Sequence, residues 1–503
     1  MKKILKNKKA TAGLIMLIFF ALLAIVGPIF VTDDPLSVGS VPLERMPLAH
    51  VSDAPGWYRS FLGNPDYTNN IYLANEANFN TAEGVGKWQN SSTSSGITFT
   101  WNPDEEVNYN LPPLSPDIKK GCLEINFTSA GNATLTLPFN YPYAIPPTEF
   151  GTEFFYAIQT QTQTIENGGL GNLTLYAYFV RESAGGNVTY PANLGLPLIN
   201  TNTTFQLVPY YQICSLNSEL VQHYGGPIQM LRSMFQIPGP YVLQFVIQFE
   251  GNATASGNPV VLLSNINSLL YGNTFGLLGS DDLGRDLFTQ LVAGTRISFI
   301  LGIVTAIMSV GIGLIVGLVA GYIGGGVDEV LMRINDMLLV IPTLPLMIVL
   351  VFVLGQSLIN LILVIGLLGW MGFARTVRSA ILSLKERSFI EAVRSSGGGK
   401  FYIIRKHLIP NVFPLVYITL AMSVPGAIVT EAALSFLGLG PQDVMSWGRI
   451  LAEFEDSGQV ATGAFTTWYW TIPPGVCIAL LSLSFILIGF ALDEILNPRL
   501  RER

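Results

Sequence analysis

"RSSGGGKFYIIRKHLIPN", residues 394–411, places three glycines and a lysine in the most basic part of a chain that is otherwise poor in charge. A phosphate-binding P-loop needs G-x-x-x-x-G-K-[ST], because backbone N–H groups cradle the phosphates, the lysine reaches the outer ones and the hydroxyl ligates magnesium. Here Arg394 occupies the first glycine position and Phe401 the hydroxyl position, and no strand precedes the glycines. The chain is therefore not expected to hold nucleotide here, and the glycines need another purpose.

Half of the 503 residues are apolar and only 12% are charged, against about 25% in soluble proteins. That balance points to a membrane, not to nucleic acid. Residues 11–31, "TAGLIMLIFFALLAIVGPIFV", form an uncharged run of spanning length, and similar runs fill the chain after about residue 296. The first run follows "MKKILKNKK". It exceeds a signal-peptide core and lacks a small-x-small cleavage site, so it reads as a retained anchor whose lysines hold the N-terminus in the cytoplasm.

Apolar runs predict spans at 11–31, 297–323, 337–355, 358–375, 413–436 and 471–492. Six crossings return the basic ending "NPRLRER" to the cytoplasm. The segment from Arg375 to Lys406 holds eight Lys plus Arg and falls on the same side. Gly311, Gly313, Gly317 and Gly321 suit close helix packing in lipid. The fold class expected is an α-helical polytopic membrane protein of six helices with an inserted all-β domain. Its parts are 1–31, then 32–280, then 281–503 with a cytoplasmic loop at 376–412.

From Thr32 to Ser280 there are 18 Asp plus Glu against 7 Lys plus Arg, a local charge of −11. Runs such as "GITFTW", "CLEINFT", "LTLYAYFV" and "YVLQFVIQFEG" favour β-branched and aromatic residues between Gly, Asn and Pro turns, predicting an antiparallel sandwich. All seven N-x-[ST] sequons (Asn90, Asn126, Asn132, Asn172, Asn187, Asn202, Asn252) lie in this region, as expected of a glycosylated, extracellular domain. Cys122 and Cys214 could pair in an oxidising exterior, while Cys477 belongs to the last span. Residues 32–80 read as an irregular approach segment.

His50, His223 and His407 are scattered without paired spacing, so neither a catalytic nor a metal site is expected. The acidic run Asp104 to Glu106 reads as a solvated loop before a calcium site, and Trp88 and Trp101 as packing residues before sugar platforms. Asp336, Glu431 and Asp493 lie at or near span ends, where interfacial positions compete with transport roles.

The glycine stretch is more specific. In "SFIEAVRSSGGGKFYIIRKHLIPNVFPLV", Glu391 and Ala392 are followed by Gly397 six residues after the glutamate and by Pro410 nineteen after it. This resembles the E-A-A-x-x-x-G-x(9)-I-x-L-P loop of ABC-importer permeases, with Val393 for the second alanine and "HLIP" for the usual ending. "GSDDLGRDLFTQLVAGTRISFILG", "EAALSFLGLGPQDVMSWGRILAE" and "LDEILNPRLR" resemble further blocks of the dipeptide, oligopeptide and nickel branch, and within it the second permease subunit. The resemblance covers 1–31 weakly and 275–503 strongly, and omits the acidic domain.

The resemblance implies an importer subunit, not an enzyme. It forms half of a pore with a second permease, and is driven by two cytoplasmic ATPases that bind ATP and magnesium. An external solute-binding protein would feed it. Residues Phe389, Glu391, Ala392, Arg394, Gly397, Gly398 and Pro410 would then couple to an ATPase. A small residue (Ala392) allows close docking, charges (Glu391, Arg394) set orientation, and Gly397 stops the helix. Peptides are the substrate expected from the branch, with oligosaccharides as the alternative. A surface adhesin would need only the first span, and a stand-alone channel or secondary transporter would work without an ATPase.

Overall fold

The structure, a computed structural model, describes residues 8–31, 35–36, 53–57, 67–74, 79, 81–104, 121–159, 172–183, 186–198, 206–208, 212–251, 253, 258–458 and 467–496. Two compact units emerge: Met1–Leu36 with Leu287–Arg503, and Ser37–Asp286.

The second unit is the sandwich. Its strands are β1 (Ala54–Pro55), β2 (Ile71–Tyr72), β3 (Gln89–Ser92), β4 (Ile97–Asn102), β5 (Cys122–Phe127), β6 (Gly131–Tyr141) and β7 (Glu149–Gln159). They continue with β8 (Asn172–Arg181), β9 (Val188–Pro191), β10 (Leu196–Pro197), β11 (Gln206–Val208), β12 (Gly239–Glu250), β13 (Val260–Tyr271) and β14 (Thr274–Phe275). Among the described residues one sheet runs β10-β8-β12-β6-β3 with β9 beside β8, and the other β11-β7-β13-β5-β4 with β2 beside β13. Both are antiparallel.

Period-two alternation builds the core. On β12, Tyr241, Leu243, Phe245, Ile247 and Phe249 turn inward, and Val242, Gln244, Val246 and Gln248 outward. Phe245 stacks on Trp88 and tilts against Phe154. Trp88 is thus core, while Trp101 is half-buried and donates its ring N–H to the Phe79 carbonyl. The all-β domain expected from the sequence is not free of helices. Three short ones, Ala82–Gly86, Ser218–Tyr224 and Pro227–Phe235, do form, and the last buries Met230, Leu231, Met234 and Phe235 against the core.

Cys122 and Cys214 are free buried thiols, so the expected pairing is not made. Register gives the reason. Cys122 follows Ser264 and Phe155 across the sheet, whereas Cys214 bridges Gly151 on the far side of β7. That leaves about 13 Å along the strand and about 14 Å across it, where a disulfide tolerates roughly 7 Å between Cα atoms. Asn90, Asn172 and Asn187 are exposed, Asn126 and Asn132 half-buried, and Asn202 and Asn252 lie outside the described residues.

In the first unit the helices are α1 (Lys8–Phe30), followed after the sandwich and its helices α2 (Ala82–Gly86), α3 (Ser218–Tyr224) and α4 (Pro227–Phe235) by α5 (Leu287–Ile323). Then come α6 (Gly325–Val340), α7 (Thr343–Leu354), α8 (Leu358–Leu368), α9 (Met371–Lys385), α10 (Ser388–Ser395) and α11 (Lys400–Ile403). The unit ends with α12 (Ile409–Leu434), α13 (Trp447–Asp456) and α14 (Trp468–Leu496). Among the described residues, five continuous helical stretches are long and apolar enough to span: α1, α5, α8 with α9, Lys400–Leu439, and α14.

The expected third span, 337–355, is not one helix. Helices α6 and α7 meet at a bend of 91°. Pro342 supplies no N–H and pushes Ile341 into the extended region (ψ 129°), which ends α6 there. The expected loop at 376–412 is mostly helical too: α9, α10 and α11 occupy it, and a π-turn at Ile404–Leu408 joins α11 to α12.

Candidate functional site

Helix α10 begins where α9 breaks, at Glu386 and Arg387, the latter extended with ψ 140°. Its buried residue is Ile390, fully enclosed, with Val393 half-buried behind it. Phe389, Glu391, Ala392 and Arg394 all face outward. Four exposed residues around one anchored isoleucine leave an open helix face, with Phe389 beside the His407 ring.

The far end of α10 is closed by backbone alone. The Gly398 N–H donates to the Val393 carbonyl at 2.9 Å and the Gly397 N–H to the Arg394 carbonyl at 3.1 Å, the paired bonds of a Schellman stop. Gly397 carries the left-handed residue of that motif, φ +85°. Gly398 needs its missing side chain for a different reason: a Cβ there would meet Val393 at 2.7 Å from Cγ1 and 2.8 Å from its carbonyl oxygen.

Ile390 ties α10 to the membrane unit. It belongs to a cluster with Val310 and Leu318 of α5, Phe373, Val377 and Ile381 of α9, Ile403, Leu408 and Val412. On the exposed flank, His407 lies 5.7 Å from the Tyr402 ring and 6.3 Å from that of Phe389. Phe401 is exposed beside them. Pro410, also exposed, lies inside the continuous Lys400–Leu439 stretch directly after the π-turn Ile404–Leu408, the widened turn that accommodates its missing N–H.

Behind α10, α9 lies on a glycine stripe of α5. A Cβ on Gly313 would stand 2.8 Å from the Trp370 carbonyl, one on Gly317 2.6 Å from the Ala374 carbonyl, and one on Gly321 2.8 Å from Ile381. Gly311 faces open space. Arg378 grips Asp328 of α6 with two hydrogen bonds, one of 2.6 Å, and Arg375 pairs with Asp336. The Lys385 ammonium donates to the Gly321 carbonyl at 3.3 Å. Helix α9 is thereby joined to α5 by shape and to α6 by charge.

The other acids singled out from sequence diverge. Glu431, buried at the end of α12, accepts hydrogen bonds from Ser435 (2.7 Å) and Ser446 (2.6 Å), and Ser446 caps α13 by accepting from the Arg449 N–H. It ties α12 to α13. Asp493 is half-buried in the last turns of α14. Sequence reasoning missed Ile390, Asp328 and Arg378. The spacing Arg375-x-x-Arg378, on one helical face, was the available signal for the ion pairs.

Residues 313–502 match the family of binding-protein-dependent transport system inner membrane components. Residues 1–42 match the N-terminal transmembrane domain of oligopeptide transport permease C. The chain is 36% identical to the oligopeptide transport permease OppC of Bacillus subtilis, over 44% of this chain and 72% of that one. To OppC of Escherichia coli it is 34% identical, over 54% and 85%. To the nickel transport permease NikC of Escherichia coli it is 36% identical, over 44% and 79%.

Proposed function

The chain belongs to the family of binding-protein-dependent transport system inner membrane components, and from that premise we propose that it forms half of the pore of an ATP-driven peptide importer. It is a multi-pass permease subunit of an ABC importer, not an enzyme. Its proposed partners are a second permease in a heterodimer, two ATPases carrying ATP and magnesium, and a solute-binding protein outside. The oligopeptide relatives support peptides as cargo. The basic 375–406 segment and the lysines before α1 support placing both termini in the cytoplasm and the acidic sandwich outside, with Asn90, Asn172 and Asn187 as its glycan acceptors.

The observation that carries the coupling role is the outward face of α10, held to the rest of the unit through Ile390. An ATPase cleft closing on Phe389, Glu391, Ala392 and Arg394 displaces α10 as a block, because the Gly397–Gly398 stop keeps the helix from extending. Displacement passes through Ile390 to α9 and to the start of α12. Helix α9 then slides on the Gly313–Gly317–Gly321 stripe, and α6 follows through Arg375 and Arg378.

The Glu391→Arg, Gly397→Trp double variant tests this. A reversed charge removes orientation, and a side chain at φ +85° costs about 1–2 kcal/mol of backbone strain. We expect the variant to insert and to co-purify with the second permease, while peptide uptake in proteoliposomes falls at least tenfold and ATP hydrolysis loses its dependence on the binding protein. Unchanged uptake would overturn the coupling role.

A further inference from the structure

We propose that the groove between α1 and α5 at Arg296 is a binding site for an anionic phospholipid. The groove, about 370 Å³, is lined by Ala21, Ala24 and Pro28 of α1 and by Arg296, Phe299 and Ile300 of α5. Small side chains on α1 open it. The Arg296 guanidinium is exposed and has no hydrogen-bond or ion-pair partner among the described residues. Arg375, Arg378 and Arg449 of the same unit are matched, by Asp336, Asp328 and Glu453, while the exposed Arg394 belongs to the face assigned above to the ATPase.

Two rulers place Arg296 at headgroup depth. Residues 297–323 carry no charge; 27 helical residues span about 40 Å, which exceeds the roughly 30 Å hydrocarbon core and leaves their ends in the interfaces. Pro28, on the groove wall, stands 19 residues after Lys9, or about 28 Å, one core thickness from the opposite basic boundary.

Below the arginine the surface changes character in the direction an acyl chain would take. On α5, Ile300, Val304 and Ile307 are exposed at helical spacing, and on α1 so are Ile29, Ile25, Leu22 and Ile18. The two rows run antiparallel: Gly27 near the end of α1 meets Val292 near the start of α5, while the earlier Ala21 and Ala24 share the groove with the later Phe299 and Ile300. A cation at the top and about 16 Å of apolar track beneath it match an amphiphile: phosphate on Arg296, acyl chain along the track. Free phosphate has nothing to place on the track, and a zwitterionic lipid brings its own cation against the arginine.

The experiment uses the assembled importer in phosphatidylcholine nanodiscs, photolabelled with a phosphatidylglycerol probe whose reactive group sits on the acyl chain. We expect label in residues 18–29 and 296–307, competed by unlabelled phosphatidylglycerol about fivefold better than by phosphatidylcholine, the preference that one interfacial cation confers. Arg296→Gln should erase the preference and Arg296→Lys restore it. Ala24→Phe, which fills the groove and keeps the charge, should remove the label altogether. The proposal is overturned if Arg296→Gln keeps the preference, if both lipids compete equally, or if millimolar inorganic phosphate displaces the probe. A cross-linker at Ile300 that captures the second permease instead of lipid overturns it equally.

Discussion

At the scale of single residues, Glu149 shows how burial alone creates chemistry that no motif announces. It opens β7 at 9% exposure, and burial pushes its carboxyl from 4.5 up to about 7. The folded state therefore binds a proton more readily than the unfolded chain between these values, and stability falls as pH rises through that window. The slope ends above about pH 7, after a loss of at most about 3 kcal/mol. We expect thermal unfolding of the sandwich, followed by tryptophan fluorescence of the purified chain, to be several degrees higher at pH 5 than at pH 8. Glu149→Gln should flatten this difference; an unchanged pH profile would remove Glu149 as its source. Nothing around Glu149 in the sequence marks it, since the burying residues come from strands far away in the chain. Gly397 was legible for the opposite reason: a left-handed stop is a local event, readable from three consecutive glycines after a helical run.

At the scale of elements, close packing of α9 on α5 follows from glycine spacing, which sequence displays directly. The direction each glycine faces is not displayed, and Gly311 turned away while Gly313, Gly317 and Gly321 turned toward α9. A paired substitution separates the two cases. Gly317→Ala puts a methyl 2.6 Å from both the Ala374 carbonyl and the Val377 Cβ, so α9 must shift, at a cost of about 1–3 kcal/mol. Gly311→Ala meets nothing within 4 Å and gains helix propensity of up to about 1 kcal/mol. We expect the melting temperature of the solubilised chain to fall for the first and to hold or rise for the second, with uptake lost in the first alone. Equal effects would mean that the stripe does not carry α9. The bent α6–α7 pair illustrates a different limit. Hydropathy summed over 337–355 sees one apolar run, because a window average is blind to the single missing N–H at Pro342.

At the scale of the whole molecule, the sandwich has the anatomy of an insertion. The strands that bring the chain in and take it out, β1 and β14, pair in parallel, with Ala54 opposite Thr274. Asp53 and Ser280 exchange two hydrogen bonds, the Asp53 N–H to the Ser280 hydroxyl at 2.7 Å and the Ser280 N–H to the Asp53 carbonyl at 3.0 Å. The unit thus closes on itself at its root, with its own apolar core, as expected of a domain inserted into a loop. Family matches at 1–42 and 313–502 leave most of it outside. Replacing residues 37–286 with a short Gly/Ser linker should therefore leave membrane insertion and co-purification with the second permease and the ATPases intact, since Ile390, α9 and the glycine stripe are untouched. Loss of ATPase co-purification by a variant that still inserts would show that the sandwich supports the coupling face, contrary to its self-contained root. Retained assembly with uptake reduced only at low binding-protein concentration would assign the sandwich to receiving that protein, because assembly, turnover and delivery then separate in one variant.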